Sequence, residues 1–136
     1  MNQVAAARAV YDTIKAGDFA GLRDHLAEDC VIEFYGPPTI PYAGIFRGRD
    51  SCMTFFGHVQ NDVDILRFDQ EDYFGEGDKV CVTGHLTLRA RATGCVYDTE
   101  YAHVITLRDG KWVRFRDFAD TAVVAHAFMP VTTPLR

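Results

Sequence analysis

Residues 101–118 read YAHVITLRDGKWVRFRDF, two alternating apolar runs joined by a tight turn. The runs, 101–107 and 112–118, are rich in Val, Ile, Phe and Tyr, and an Asp-Gly pair stands between them. This is the strongest short-range signal for a β-hairpin, so the runs are predicted to pair antiparallel. The pairing would bring His103 close to Asp117. A histidine and a carboxylate on an apolar hairpin are candidate acid and base groups, since burial and mutual charge alter proton affinity.

Length and composition predict one domain over residues 1–136, because 48% apolar residues in a chain of this size supply a substantial core. The formal net charge is -5, without a block of Lys or Arg that would follow a phosphate backbone. Nucleic acid and membranes are therefore poor partners, and a small hydrophobic molecule is a better one. We find neither an export signal nor a run of about 18 apolar residues, so a cytoplasmic protein is expected.

Metal binding is not predicted. No Cys-x-x-Cys, His-x-His or His-Glu-x-x-His spacing occurs, and the acidic residues lack a calcium-loop pattern. The cysteines are expected to be reduced thiols. They are Cys30, Cys52, Cys81 and Cys95.

The period of the apolar residues changes along the chain, from helical spacing before residue 60 to alternation after residue 63. The Pro-rich segment 36–48 is predicted to be an ordered loop, a potential lid, with a short strand near Ile45-Phe46. Helices followed by an antiparallel meander indicate an α+β domain. The predicted helices cover about residues 4–14, 19–26 and 51–60, the last capped by Asp50 or Ser51, and the predicted strands cover 30–35, 63–74, 79–91, 95–107 and 111–121.

Three stretches carry a family resemblance: GDFAGL at 17–22, LAEDCVI at 26–32 and GKWVRFRDFAD at 110–120. In order and spacing the chain resembles the SnoaL-like branch of the NTF2-like superfamily over residues 4–128. The resemblance implies a curved antiparallel sheet wrapped by three N-terminal helices into a cone with a pocket on its concave side. It also implies a homodimer across the convex side.

This fold hosts several activities, so function must be argued from the site. The first two helices also resemble those of ketosteroid isomerases. However, the general-base aspartate of those enzymes falls on Phe34, their oxyanion tyrosine on Val10 and their protonated aspartate on Ala102. The comparison argues against that chemistry.

Two further comparisons involve Asp117. It matches the catalytic aspartate of limonene-type epoxide hydrolases, but their partner arginine and second aspartate fall on Gly84 and Leu86, so a water would not be activated. In SnoaL-type polyketide cyclases a histidine and an aspartate fourteen positions apart line the pocket. His103 and Asp117 reproduce that spacing within the same strand-turn-strand pattern.

The resemblance to the cyclases implies cofactor-independent proton transfer, an aldol cyclisation or isomerisation, on a small hydrophobic carbonyl compound. Asp117 would be the base and His103 would relay the proton, since a carboxylate in a dry pocket can remove a proton next to a carbonyl. Aromatic side chains are expected to contact the ligand. The candidates are Phe34, Tyr42, Phe56, Tyr101 and Phe115, and Tyr11 could also donate a hydrogen bond.

Strand alternation gives a test of this site. If Asp117 faces the pocket, Val113 and Phe115 share its face, and Trp112 and the neighbouring arginines point away. A bulge or a one-residue slip would reverse the faces.

The sequence is also compatible with a protein that is not an enzyme. It could be a non-catalytic domain in which the His103 and Asp117 pair only orients an apolar ligand, or a dimeric interaction module. A closed pocket into which both side chains converge favours catalysis. A filled interior favours the interaction module.

Overall fold

Four α-helices and six β-strands follow one another in the computed structural model, which describes residues 2–130. The helices are α1 (Gln3–Lys15), α2 (Phe19–Leu22), α3 (Arg49–Asp62) and α4 (Thr121–Phe128). The strands are β1 (Leu26–Phe34), β2 (Gly44–Arg47), β3 (Val63–Glu76), β4 (Lys79–Ala90), β5 (Val96–Arg108) and β6 (Lys111–Ala119). The predicted α+β class is confirmed. Across these described residues, none of the helices is long and apolar enough to cross a membrane.

Helix α1 has the boundaries that its sequence predicts. The Asn2 side chain accepts hydrogen bonds from the backbone N–H groups of Val4 and Ala5, and Gly17 follows the helix with a φ of +74°. The helix buries one stripe against the sheet. Its members are Ala6, Ala7, Val10 and Tyr11.

The strands form one mixed sheet in the order β2-β1-β6-β5-β4-β3. All neighbouring pairs are antiparallel except β1 and β6, which run parallel. The predicted antiparallel pairing therefore holds for every neighbouring pair of described strands except this one. Strand β2 and helix α3 lie between β1 and the meander, and an alternating pattern does not encode the direction of a distant partner strand.

The sheet curves without closing, and register shifts mark where its ladders bend. In the β3 and β4 pair they fall between Ile65 and Arg67 and between Gln70 and Asp72. Such bulges increase the local twist and bend a strand. The concave face that results is covered by helices, with α1 against β3 and β4, α3 against β1 and β2, and α4 against β5.

The hairpin of β5 and β6 forms as predicted. Asp109 and Gly110 both have positive φ, at 53° and 76°, which is the backbone of a tight two-residue turn. The ladder places His103 directly opposite Asp117. The turn chemistry of the sequence thus fixes the pairing of the two candidate site residues.

Two local expectations need correction, and a fourth helix adds to the three predicted N-terminal ones. Helix α3 begins at Arg49 after Gly48, whose φ is +88°, and no side-chain cap from Asp50 or Ser51 is formed in this described segment. Leu26 opens β1 instead of ending a second helix, because α2 passes into a short 3-10 turn. A fourth helix, α4, follows β6, and the Asp120 side chain caps it by accepting from the backbone N–H of Val123.

Candidate functional site

A cavity of about 80 Å³ lies between the concave face of the sheet and the helices. One enclosed water needs roughly 10–15 Å³ of such space, so the cavity has room for about five to eight waters, or one compact cyclic molecule. Its wall is largely aromatic and aliphatic. The aromatic members are Tyr11, Phe19, Phe34, Tyr42, Phe55, Phe56, Phe68, Trp112 and Phe115, and the polar members include Thr99, His103 and Asp117.

His103 and Asp117 converge on this cavity from adjacent strands. The His103 Nε2 and Asp117 Oδ1 atoms are 3.2 Å apart, and the two side chains are only 4% and 13% exposed. Neither atom has an aligned hydrogen-bond partner within residues 2–130. Buried polar groups are nearly always hydrogen-bonded, so two that lack good partners in one cavity wall can receive the polar group of a ligand.

The second ring nitrogen of His103 is held by α1. The Tyr11 hydroxyl lies 2.7 Å from His103 Nδ1, and both residues are buried. Burial raises the pKa of Tyr11 well above its usual range, so the hydroxyl stays protonated, and we assign it as the hydrogen-bond donor to Nδ1. We therefore assign the imidazole proton to Nε2, the atom that faces Asp117. The three side chains form a chain of Tyr11, His103 and Asp117.

Sequence reasoning did not join Tyr11 to this pair. The signal that could have found it is its place as the polar-tipped member of the buried stripe of α1. The oxyanion tyrosine and the protonated aspartate of the ketosteroid isomerases fall on Val10 and Ala102. These residues are the chain neighbours of Tyr11 and His103, which meet here.

Two aromatic rings fix the plane of the imidazole. Tyr101 stacks on His103 at a centroid distance of 4.2 Å, and Phe115 meets it edge-on at 4.7 Å. Packing on both sides restricts rotation of the imidazole about its side-chain bonds. The two ring nitrogen atoms are therefore held in fixed directions, with Nδ1 towards Tyr11 and Nε2 towards Asp117.

Tyr101 packs against His103 without lining the cavity. Its hydroxyl donates to the backbone oxygen of Asp69 at 2.6 Å and accepts from Gln70 at 3.2 Å, and Tyr101 is not among the described residues that line the cavity. Burial raises its pKa. Gly84 leaves the space for this arrangement, since a Cβ there would lie 1.8 Å from the Asp69 oxygen and 2.5 Å from the Tyr101 hydroxyl. Direct contact of Tyr101 with a ligand thus receives no support from its position.

The other aromatic residues expected to contact a ligand do line the cavity. Phe34 and Tyr42 meet edge-on at 5.1 Å, and Phe56 reaches the cavity from α3. Tyr42 belongs to the Pro-rich loop, where it is buried, so this loop covers part of the cavity. Its hydroxyl lies 3.1 Å from that of Tyr97.

The prediction for Trp112 was wrong. Trp112 is 1% exposed and lines the cavity, whereas Val113 does not. The cause is a register shift in the hairpin, where Thr106 pairs with Arg114 but Leu107 pairs with Trp112. Val113 is the extra residue of this bulge, so the alternation reverses before it. Trp112 Nε1 is a third buried polar atom without a partner among residues 2–130.

The opposite face of β6 carries charge, as alternation predicts for Arg114 and Arg116. Arg114 donates two hydrogen bonds of 3.0 Å to the Glu33 carboxylate, and Arg116 Nε lies 3.8 Å from it. The paired Arg114 holds the pKa of Glu33 below its usual range. This ion pair joins β1 and β6 on the face of the sheet opposite the apolar cavity.

Residues 7–115 match the SnoaL-like domain family, so the chain belongs to that family. No curated protein matches it.

Solved structures agree on the fold. An NTF2-like protein of Burkholderia xenovorans LB400 is 25% identical with a TM-score of 0.85, and the match covers 93% of this chain and 95% of that one. An NTF2-like protein of Burkholderia thailandensis E264 is 27% identical with a TM-score of 0.81, covering 96% and 99%. A protein of Mesorhizobium loti, named as a candidate SnoaL-like polyketide cyclase, is 19% identical with a TM-score of 0.70, covering 87% and 99%. The SnoaL-like assignment and the NTF2-like cone are thereby confirmed.

Proposed function

We propose that the protein binds a compact, mostly apolar carbonyl compound in the cone cavity and moves a proton on it without a cofactor. The observation that carries the proposal is the buried chain of Tyr11, His103 and Asp117, whose last two members meet in an aromatic cavity with unpartnered polar atoms. A cavity with a few convergent polar groups in an apolar wall is the usual form of a small-molecule site.

Asp117 is the base in this proposal. Its carboxylate removes a proton from the carbon next to the ligand carbonyl, and negative charge develops on the carbonyl oxygen. The Nε2–H of His103 donates a hydrogen bond to that oxygen and stabilises the enolate. A ligand that fills the apolar cavity displaces water from the reacting atoms, which strengthens both interactions.

Because burial raises the pKa of Tyr11, this residue keeps its own proton during the reaction. Tyr11 does not give its proton to His103, because a buried tyrosinate would result. His103 therefore acts as a hydrogen-bond donor, and the proton held by Asp117 returns to the ligand. Return to a different carbon is an isomerisation, and return to an alkoxide completes an aldol closure.

The other residues of the cavity wall indicate the class of ligand. Trp112 Nε1–H can donate to a second polar group, so the substrate that fits best is a cyclic or aromatic carbonyl compound with a second oxygen. A charged or extended molecule does not suit a small apolar cavity.

A thermal-shift screen of compact cyclic ketones and enones, with the parent protein and Asp117→Asn side by side, tests the proposal. We expect some compounds to stabilise both proteins and only the parent to convert them. Equal conversion by both would remove Asp117 as the base. Binding to both without any conversion by the parent would leave a ligand-binding domain in place of an enzyme.

A further inference from the structure

Two of the four cysteines meet in the core between β1 and α3. The Sγ atoms of Cys30 and Cys52 are 2.8 Å apart, and the residues are 1% and 0% exposed. Non-bonded heavy atoms usually stand about 3.5–4.0 Å apart, whereas bonded sulfur atoms are about 2.05 Å apart. We propose that Cys30 and Cys52 are a modification site, a dithiol that a small hydroperoxide oxidises reversibly to a disulfide.

The environment shifts the pKa values of the two thiols in opposite directions. The Cys30 side chain donates to Cys52, and together with the backbone N–H of Ile32 it lowers the pKa of the Cys52 thiol. The same contact, with burial, raises the pKa of Cys30. Because a thiolate is the reactive form of cysteine, the lower pKa favours Cys52 as the attacking sulfur and Cys30 as the resolving one.

The reaction balances with hydrogen peroxide as the oxidant. The Cys52 thiolate attacks the O–O bond, forming a sulfenic acid, and the hydroxide that leaves takes up the proton released by Cys52 to give one water. The Cys30 sulfur then attacks the Cys52 sulfur, so that an S–S bond forms and the S–O bond breaks. The second hydroxide takes the Cys30 proton, and two thiols have lost two electrons to the peroxide.

The disulfide would connect two walls of the cavity. Helix α3 carries Phe55 and Phe56, and β1 carries Phe34, all of which line it. Cross-linking closes a loop of about 20 residues, which restricts the unfolded chain and raises Tm by roughly 10–15 °C for a domain of this size. Oxidation therefore links helix α3 covalently to strand β1.

Peptide mapping tests the proposal on the intact protein. The protein is treated with one equivalent of hydrogen peroxide, then unfolded, alkylated and digested with trypsin without reduction. Each cysteine falls in its own tryptic peptide, since those of the proposed pair span 24–47 and 50–67. We expect these two peptides to be joined, and a reductant to reverse both the link and the rise in Tm. If both are recovered alkylated, the proposal is wrong, whether or not the peptides of Cys81 and Cys95 are modified.

Single substitutions test the assigned roles. Cys30→Ser should leave a Cys52 sulfenic acid that a dimedone probe labels, whereas Cys52→Ser should give no label at Cys30. Cys81→Ser is the matched control and should retain the link. Equal labelling in both variants would overturn the assignment of Cys52 as the attacking sulfur. The parent peptide map gives a result even if a core variant fails to fold.

Discussion

Replacing Tyr11 by Phe removes one oxygen atom from the centre of the site. The ring contacts of Tyr11 with Phe68 and Trp112, at centroid distances of 5.7 and 5.9 Å, can persist, so no large cavity is created. The loss falls on His103 Nδ1, which stays buried without its 2.7 Å partner. An unsatisfied buried group costs about 1–3 kcal/mol, and we expect the free energy of unfolding to fall by that amount.

Urea unfolding measures this loss, with the midpoint lowered and the m-value unchanged. In a domain of this size each kcal/mol corresponds to roughly 3–5 °C in Tm. The ¹⁵N NMR signals of the imidazole give an independent reading, because protonated and unprotonated ring nitrogens have well-separated shifts. The parent should show the proton on Nε2 of His103, and Tyr11→Phe should show a mixture of the two tautomers.

The matched control is Tyr42→Phe, which removes another buried hydroxyl of the cavity wall, bonded to Tyr97. It should lower stability without changing the His103 signals. If Tyr11→Phe alters the free energy of unfolding by less than about 0.5 kcal/mol and leaves those signals unchanged, Tyr11 does not orient His103, and the proposed tautomer has no basis.

Two predictions concern the frame around the site. Gly84→Ala places a methyl group 1.8 Å from the Asp69 oxygen and 2.5 Å from the Tyr101 hydroxyl, so it should destabilise by about 2–4 kcal/mol in urea, and a mild effect would contradict the close approach. Glu33→Gln should cost about 1–2 kcal/mol at pH 7, where the carboxylate binds Arg114. Because the folded pKa of Glu33 is lowered, this stability is complete above the unfolded value, near 4.3, and is lost as the pH falls towards the folded value. The difference between the two proteins should shrink as the pH falls below the unfolded value, and a constant difference down to low pH would refute the ion pair.

The sequence predicted those features that local chemistry determines. The Asp109-Gly110 turn specified the hairpin, and the hairpin specified that His103 faces Asp117. The strands of the meander were likewise recognisable, because alternation and turn residues are local signals.

The missed features depend on distant contacts. The parallel pairing of β1 with β6 and the packing of α1 over β5 join segments about 80 to 90 residues apart, and periodicity does not encode such partners. The bulge at Val113 has no sequence signal either, yet it alone turns Trp112 into the cavity. The identity of the pair was therefore predictable, whereas its third member and part of its wall were not.

Hydrogen exchange at carbon is the most direct test of Asp117 as the base. Each ketone that binds in the thermal-shift screen is incubated in D₂O with the parent protein, and deuterium at the carbon next to the carbonyl is followed by NMR. We expect incorporation with the parent and a decrease of about 10²- to 10⁴-fold with Asp117→Asn. Exchange at equal rates with both proteins, or no exchange of any bound ketone with the parent, would contradict proton abstraction by Asp117.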